Sequence, residues 1–183
     1  MQKILIVVDM QNDFINGSLG TSEAEAIVDN VVERISKSEG ELILFTLDTH
    51  NDDYLETPEG KKLPVKHCIK GTDGWLLNPR VKQAWLDHPN TVIHPSLKEN
   101  SFEKPVFGST SLVKFLEIIK SDIQEIEVLG LCTDICVVSN AIMIKNTLPE
   151  IKIGVNKNCS AGVTPKSHEE ALNVMTMCQI EVV

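Results

Sequence analysis

Ile4-Leu5-Ile6-Val7-Val8 is an apolar run without polar alternation. That is the pattern of a strand buried on both faces, as in a parallel sheet. Further strands are expected over 41–47, 91–94, 126–129, 151–155 and 180–183. Between them apolar residues fall at helical spacing: Ala24, Ile27, Val28, Val31, Val32 and Ile35 form one i, i+3, i+4 stripe across 24–35. Similar patterns cover 81–85, 109–119, 133–144 and 167–178, the last opened by Ser167 and Glu170 as a capping box. Strands alternating with helices predict an α/β fold, a mostly parallel sheet with helices on both faces. At 183 residues the chain suits one domain spanning 1–183.

The net charge of −9, from 17 basic and 26 acidic residues, argues against a nucleic-acid partner, because a phosphate polymer would be repelled. No apolar run approaches the ~20 residues of a membrane span, so no membrane partner is expected. Met1-Gln2-Lys3 leads directly into a strand without the layout of a signal peptide, and a cytoplasmic location is the expectation. Cys68, Cys132, Cys136, Cys159 and Cys178 lack the spacing of a disulfide framework and suit reduced thiols. Cys159 and Cys178 read as small buried hydrophobes.

Three reactive residues stand at strand ends or just beyond. Asp9 closes the first run, Lys104 lies in Phe102-Glu103-Lys104-Pro105-Val106-Phe107, and Cys136 follows Ile126-Glu127-Val128-Leu129 within the next helical pattern. The carboxyl ends of parallel strands form the ligand crevice of such sheets, so a thiol, a carboxylate and an ammonium can meet there. Together they suggest a nucleophile, a base and a cationic stabiliser. A helix N-terminus would also favour the thiolate of Cys136. Asp9 has a plainer reading as a turn former, although Asp13 of the same loop suits that role better.

The segment 49–75 is polar, punctuated by Gly and Pro, and shows no periodicity. Loops of that length are uncommon in compact domains and are often functional. If Asp48-Thr49-His50 is extended, Asp48 and His50 point the same way, and Glu59 and His67 could fold back to complete a metal shell. Mixed imidazole and carboxylate donors suit Zn, Fe, Mn or Co without choosing among them, and a solvated loop His is the plain alternative. Asp52-Asp53 and Glu169-Glu170 read as solvated faces, His88 and His94 as turn or strand-edge residues, and Trp75 and Trp85 as packing.

The motifs Asp9-Met10-Gln11-Asn12-Asp13-Phe14, Asp48-x-His50, His67-Cys68-x-x-Gly71-Thr72, Lys104-x-x-Phe107-Gly108-Ser109 and Gly130-x-Cys132-Thr133-Asp134-Ile135-Cys136-Val137 occur in one order along nearly the whole chain. In that order the sequence resembles the isochorismatase-like cysteine hydrolases, and within them the nicotinamidase or pyrazinamidase branch. The resemblance implies a three-layer Rossmann-like fold with a six-stranded sheet, and Asp9, Lys104 and Cys136 as the catalytic triad. It implies an oxyanion hole from the backbone N–H groups of Cys132 and Cys136, with a cis peptide at Leu131-Cys132. It implies pocket residues Phe14, Phe107 and Leu131. One divalent metal is implied on Asp48, His50, Glu59 and His67, zinc first with iron or manganese as alternatives, and with Glu56 as the alternative to Glu59. The metal would orient a pyridine ring, and the activity implied is hydrolysis of nicotinamide to nicotinate and ammonia through a thioester, in pyridine-nucleotide salvage. The isochorismate-cleaving branch lacks the nucleophilic cysteine, so Cys136 argues against it. The family often forms homo-oligomers.

This chain departs from the branch before the metal His: Leu63-Pro64-Val65-Lys66-His67 lacks the usual Trp. An aromatic wall is then absent or supplied elsewhere, by Tyr54 or Trp75. A ureido or other small non-pyridine amide is therefore the alternative substrate. Members that take a carboxylate substrate recruit a pocket Arg, and here Arg34 and Arg80 fall outside the motifs. A thiol sensor or small-molecule binding protein built on Cys132 and Cys136 is the non-enzymatic alternative.

Overall fold

In the computed structural model, which describes residues 2–88, 94, 97 and 99–183, six strands form one all-parallel sheet. β1 (Gln2–Val8), β2 (Leu42–Asp48), β3 (Ser101–Lys104), β4 (Ile123–Leu131), β5 (Lys152–Ala161) and β6 (Glu181–Val182) lie in the order β3-β2-β1-β4-β5-β6. The helices are α1 (Asn12–Ile15), α2 (Ser22–Ala26), α3 (Val28–Ser36), α4 (Pro58–Lys62), α5 (Pro79–Leu86), α6 (Thr110–Ile118), α7 (Val138–Thr147) and α8 (Pro165–Met177).

Strand periodicity divides the core in two. Ile4, Ile6 and Val8 of β1, with Leu42 and Leu44 of β2, pack on one face against Leu112 and Leu116 of α6, Ile144 of α7 and Met175 of α8. Leu5, Val7, Ile43 and Phe45 face the other way, onto Val28, Val31 and Ile35 of α3 and Val81 and Trp85 of α5. Trp85 meets the Phe45 ring edge-on, with centroids 5.3 Å apart, an arrangement the ring quadrupoles favour. The continuous apolar runs are therefore strands covered on both sides, which is why they show no alternation.

The chain proceeds from β1 outward to β2 and β3, and from β4 outward to β5 and β6. The strand order reverses between β1 and β4, and a crevice opens there at the carboxyl ends. Gly130 enables the close approach of those two strands. Its φ is +119°, and a Cβ there would lie 2.2 Å from the Val8 carbonyl oxygen, so a side chain would push β4 off β1 next to Asp9.

Several expectations are corrected. The third strand is Ser101–Lys104, among the described residues an edge strand paired only with β2; of the expected strand 91–94, residues 91–93 lie outside the described residues and His94 is not in a strand. The stripe over 24–35 is two helices, divided at Ile27. The last helix is opened by Thr164, whose hydroxyl accepts from Ser167 N at 3.1 Å, with Pro165 at the first helical position. Glu170 instead pairs with Lys166 on the exposed face. Segment 49–75 holds two 3-10 turns, Tyr54–Glu56 and Asp73–Trp75, on either side of α4. Cys159 is buried as expected, but Cys178 is exposed at the end of α8.

Candidate active site

Register brings the first residues together. Thr46 is the partner of Val8 across β1 and β2, so Asp9 emerges beside it. Asp48 is the partner of Lys104 across β2 and β3. Asp9 takes a left-handed φ of +48°, a region in which Asp is tolerated better than most residues. Its carboxylate accepts from Thr46 Oγ1 at 2.7 Å. Lys104 Nζ lies 2.7 Å from Asp9 Oδ2 and 3.2 Å from Asp48 Oδ1, and it donates to Cys136 Sγ at 3.5 Å. Cys136 arrives from beyond β4, on a π-helical turn, Thr133–Val137, that runs into α7. The peptide Leu131-Cys132 is cis.

Burial sets the electrostatics. Asp9 is 0% exposed and Lys104 1%. Burial pushes the Asp9 carboxyl above its usual range against the opposing pull of Lys104. Burial pulls Lys104 down, but Asp9, Cys136 and Asp48 outweigh it and hold the ammonium charged. Burial, reinforced by the Asp9 charge, pushes the Cys136 thiol well above its ordinary value. Burial thus holds the thiol neutral beside a carboxylate that is a stronger proton acceptor than a surface Asp.

Beside this corner, Asp48 Oδ2 stands 2.9 Å from His50 Nε2 and 3.4 Å from His67 Nε2. Donor atoms of Asp48, His50 and His67 all lie within 4.8 Å of one another. His67 Nδ1 lies 2.9 Å from the Val65 carbonyl oxygen, which can only accept, so Nδ1 carries a proton and a neutral His67 would offer its Nε2 lone pair to an ion. His50 Nε2 is buried without a hydrogen-bond partner despite its proximity to Asp48. Donor atoms converging at such distances suit a shared cation. Ligands about 2.1 Å from a metal are themselves separated by about 3.0–3.4 Å, and this donor set fits a divalent ion. Burial pushes the Asp48 carboxyl up, but His50, His67 and Lys104 outweigh it and hold it well below the usual carboxylate range. Glu59 Oε1 is 3.8 Å from His50 Nε2 and half-buried, whereas Glu56 is exposed.

Of the expected pocket residues, Phe107 is 48% exposed and lines a cleft of about 700 Å³ with His50, Tyr54, Glu59, Leu63 and Ile135. Phe14 packs its ring 5.6 Å from that of His67. Leu131 has its side chain in the core, 1% exposed, and does not line that cleft. Tyr54 is buried against the rings of His50 and His67, at 4.5 and 4.9 Å. Trp75 donates its indole N–H to Thr49. Arg34 binds Glu127 and Glu41, and Arg80 pairs with Asp29; neither lines the cleft.

Three supporting residues escaped the sequence reading as members of the site. Thr46 is the polar residue inside an apolar strand, and its break in the run Leu42–Asp48 was the available signal. Gln11, 0% exposed, brackets the end of β2: its amide donates to Asp48 O at 2.9 Å and to Trp75 O at 2.7 Å, and accepts from Asp48 N at 2.7 Å. Asn140, also 0% exposed, lies on α7 one turn beyond Cys136.

Comparison with known proteins agrees with this fold. Over 190 residues the chain is 27% identical to the nicotinamidase/pyrazinamidase of Mycobacterium tuberculosis strain H37Rv, covering 99% of this chain and 98% of that one. The crystal structure of the nicotinamidase PncA from Bacillus subtilis superposes with a TM-score of 0.80 at 30% identity, covering 100% and 99% of the two chains. That of the pyrazinamidase of Pyrococcus horikoshii in complex with zinc gives 0.76 at 25% identity, covering 100% and 99%. Residues 3–183 match the isochorismatase domain, and the chain belongs to the isochorismatase domain family.

Proposed function

We propose that this protein is a nicotinamidase, releasing nicotinate and ammonia by nucleophilic cysteine catalysis. The chain is a hydrolase acting on amide bonds, and the finer reading rests on one observation: Lys104 Nζ touches both the Asp9 carboxylate and the Cys136 thiol, next to three converged metal donors. The relatives named above carry nicotinamidase or pyrazinamidase activity in their names, and one is a zinc complex.

Asp9 accepts the Cys136 proton as the sulfur attacks the carboxamide carbon, so that the charged thiolate need not exist beforehand. Lys104 stays protonated and compensates the negative charge held between the two. The backbone N–H groups of Cys132 and Cys136 receive the oxyanion, where one such donor commonly contributes a factor of ~10²–10³. Asp9 then gives its proton to the departing nitrogen, ammonia leaves, and a thioester remains on Cys136. The same carboxylate takes a proton from water, the hydroxyl adds to the thioester carbon, and the thiol is regenerated as the acid departs. Asp48, His50, His67 and Glu59 would hold the divalent ion, which supplies a Lewis-acid contact for the ring nitrogen and so fixes the ring's orientation. Phe14 and Phe107 form the walls.

A small ureido amide is the second reading, favoured by Leu63 lining the cleft in a segment that lacks the branch's Trp. Ammonia release is to be measured from nicotinamide and from a ureido amide, with metal-loaded and chelated protein. Release from nicotinamide that vanishes on chelation and returns with a divalent ion supports the proposal. Release from the ureido compound alone replaces it.

A further inference from the structure

The nucleophile and the cation of the site come from opposite sides of the sheet's midline, on β4's extension and at the end of β3. The segment after Lys104 must therefore be fastened to the helix that carries Cys136. Asn140 occupies that joint. Its Nδ2 donates to the Cys136 carbonyl at 2.8 Å and to the Phe107 carbonyl at 3.2 Å, while its Oδ1 accepts from Ser109 N at 2.9 Å. Both amide hydrogens and the carbonyl oxygen are thus engaged, and the side chain is 0% exposed. Ser109 in turn caps α6 by accepting from Leu112 N at 3.2 Å. The neighbouring backbone is pressed onto the same helix: a Cβ on Gly108 would lie 2.3 Å from Met143 Sδ.

From this arrangement we infer that Asn140 is a positioning residue that sets the Cys136 thiol against Lys104 and fixes Phe107 at the mouth of the cleft. The inference rests on the cysteine-hydrolase reading above, but it concerns the placement of the thiol whichever amide is cleaved. A polar side chain could have been buried at this helix position only with all its valences met, since an unmet one is costly in a dry interior. Here every valence goes to one of the two parts that must meet. A merely structural Asn would stiffen its own helix; this one spans two segments that carry different working groups.

Two variants test it. Asn140→Ala removes all three bonds. Asn140→Thr keeps one, because a threonine hydroxyl on a helix can donate to the carbonyl one turn back, here that of Cys136, but cannot span to Phe107 and Ser109. The readouts are the thermal midpoint, kcat and KM for amide hydrolysis, and the rate of iodoacetamide alkylation mapped to Cys136 by peptide mass. The alanine variant is expected to fold, to lose about 10–100-fold in kcat, the scale of a small misplacement, and to alkylate several-fold more slowly. The threonine variant is expected to recover most of the alkylation rate and kcat while its KM stays raised, since Phe107 remains released. A folded alanine variant with the wild-type alkylation rate and kcat overturns the inference. So does a threonine variant with the wild-type KM, or failure of both variants to fold, which would assign Asn140 to the core. If the wild type released no ammonia from nicotinamide, the proposed function would fail while the alkylation rates still decided this inference.

Discussion

Two clusters in this molecule place one cation between two carboxylates, and they are built to opposite ends. Between α3, the entry to β2 and β4, Arg34 faces Glu41 and Glu127. Its Nε and Nη2 donate to both oxygens of each at 2.8–3.2 Å, and Asn156 adds a further bond to Glu127 at 2.8 Å. The planar fork engages both carboxylates through two of its nitrogens, and the Arg34 side chain remains 20% exposed. At the carboxyl ends of the strands, Lys104 faces Asp9 and Asp48 from a fully buried position. Its ammonium is a point charge, and Asp9 Oδ2, though 2.7 Å away, lacks a well-directed hydrogen bond. One cluster is multiply hydrogen-bonded and exposed at its rim; the other is dry, under-bonded, and has a thiol against it. The difference is that between an ion pair that joins elements and one that keeps a proton acceptor reactive.

The sharpest way to break this comparison is to remove a reacting group. Cys136→Ala should lose at least roughly 10⁴ in kcat and Asp9→Asn about 10³–10⁴, both with the fold retained by circular dichroism. Residual activity within tenfold of wild type in the cysteine variant would remove the distinction between the clusters. Next in size is Lys104→Met, which leaves Asp9 and Asp48 buried without their cation. Breaking such a pair costs about 3–5 kcal/mol, to be read from denaturant unfolding; a change below about 1 kcal/mol would mean that the dry cluster is no more demanding than a surface pair.

Chelation comes third. Removing a divalent ion from Asp48, His50 and His67 should lower the thermal midpoint and abolish turnover, with metal content followed by elemental analysis. An unchanged midpoint would sever the metal site from the folded site. The acid limb of kcat/KM sharpens the comparison further. Burial raises the Asp9 carboxyl, so its proton-accepting form is lost as pH falls through a value above the ordinary ~3.9 of Asp. A limb at or below that value contradicts the assignment of Asp9 as base. The smallest effect is expected at Arg34→Met: about 1–2 kcal/mol, between exposed and buried pairs, or a few degrees in Tm, with kcat within twofold. A tenfold loss of kcat there would show that the two clusters are coupled.

Much of the candidate site's placement is legible because its residues stand where strands end. Asp9, Asp48, Lys104 and the turn before Cys136 are each fixed by the boundary of an element, and parallel register aligns those boundaries. Less legible was β3, Ser-Phe-Glu-Lys, whose burial alternates with Phe102 and Lys104 inward. A buried lysine at an inward position defeats any hydrophobicity pattern, so the more apolar stretch before it carries the stronger strand signal. The two helices over 24–35 share one apolar stripe, and side-chain periodicity alone does not reveal a backbone break at Ile27. Thr164 before Pro165 was a sufficient cap signal, since Pro is pre-organised for the first helical position. Gln11 and Asn140 act through backbone atoms of segments distant in sequence, at separations of 37 and 31–33 residues, and no local pattern encodes that. The placement of Glu59 ahead of Glu56 follows from α4, a helix too short to show a periodicity of its own.

The measurement that bears most directly on the account is an acid quench during turnover of nicotinamide, followed by peptide mapping. The account predicts a nicotinoyl thioester on the peptide that carries Cys136, absent from Cys136→Ala and accumulating with the ammonia released in the first turnover. Ammonia released at the wild-type rate by Cys136→Ala, with no acyl group on the protein, would contradict it.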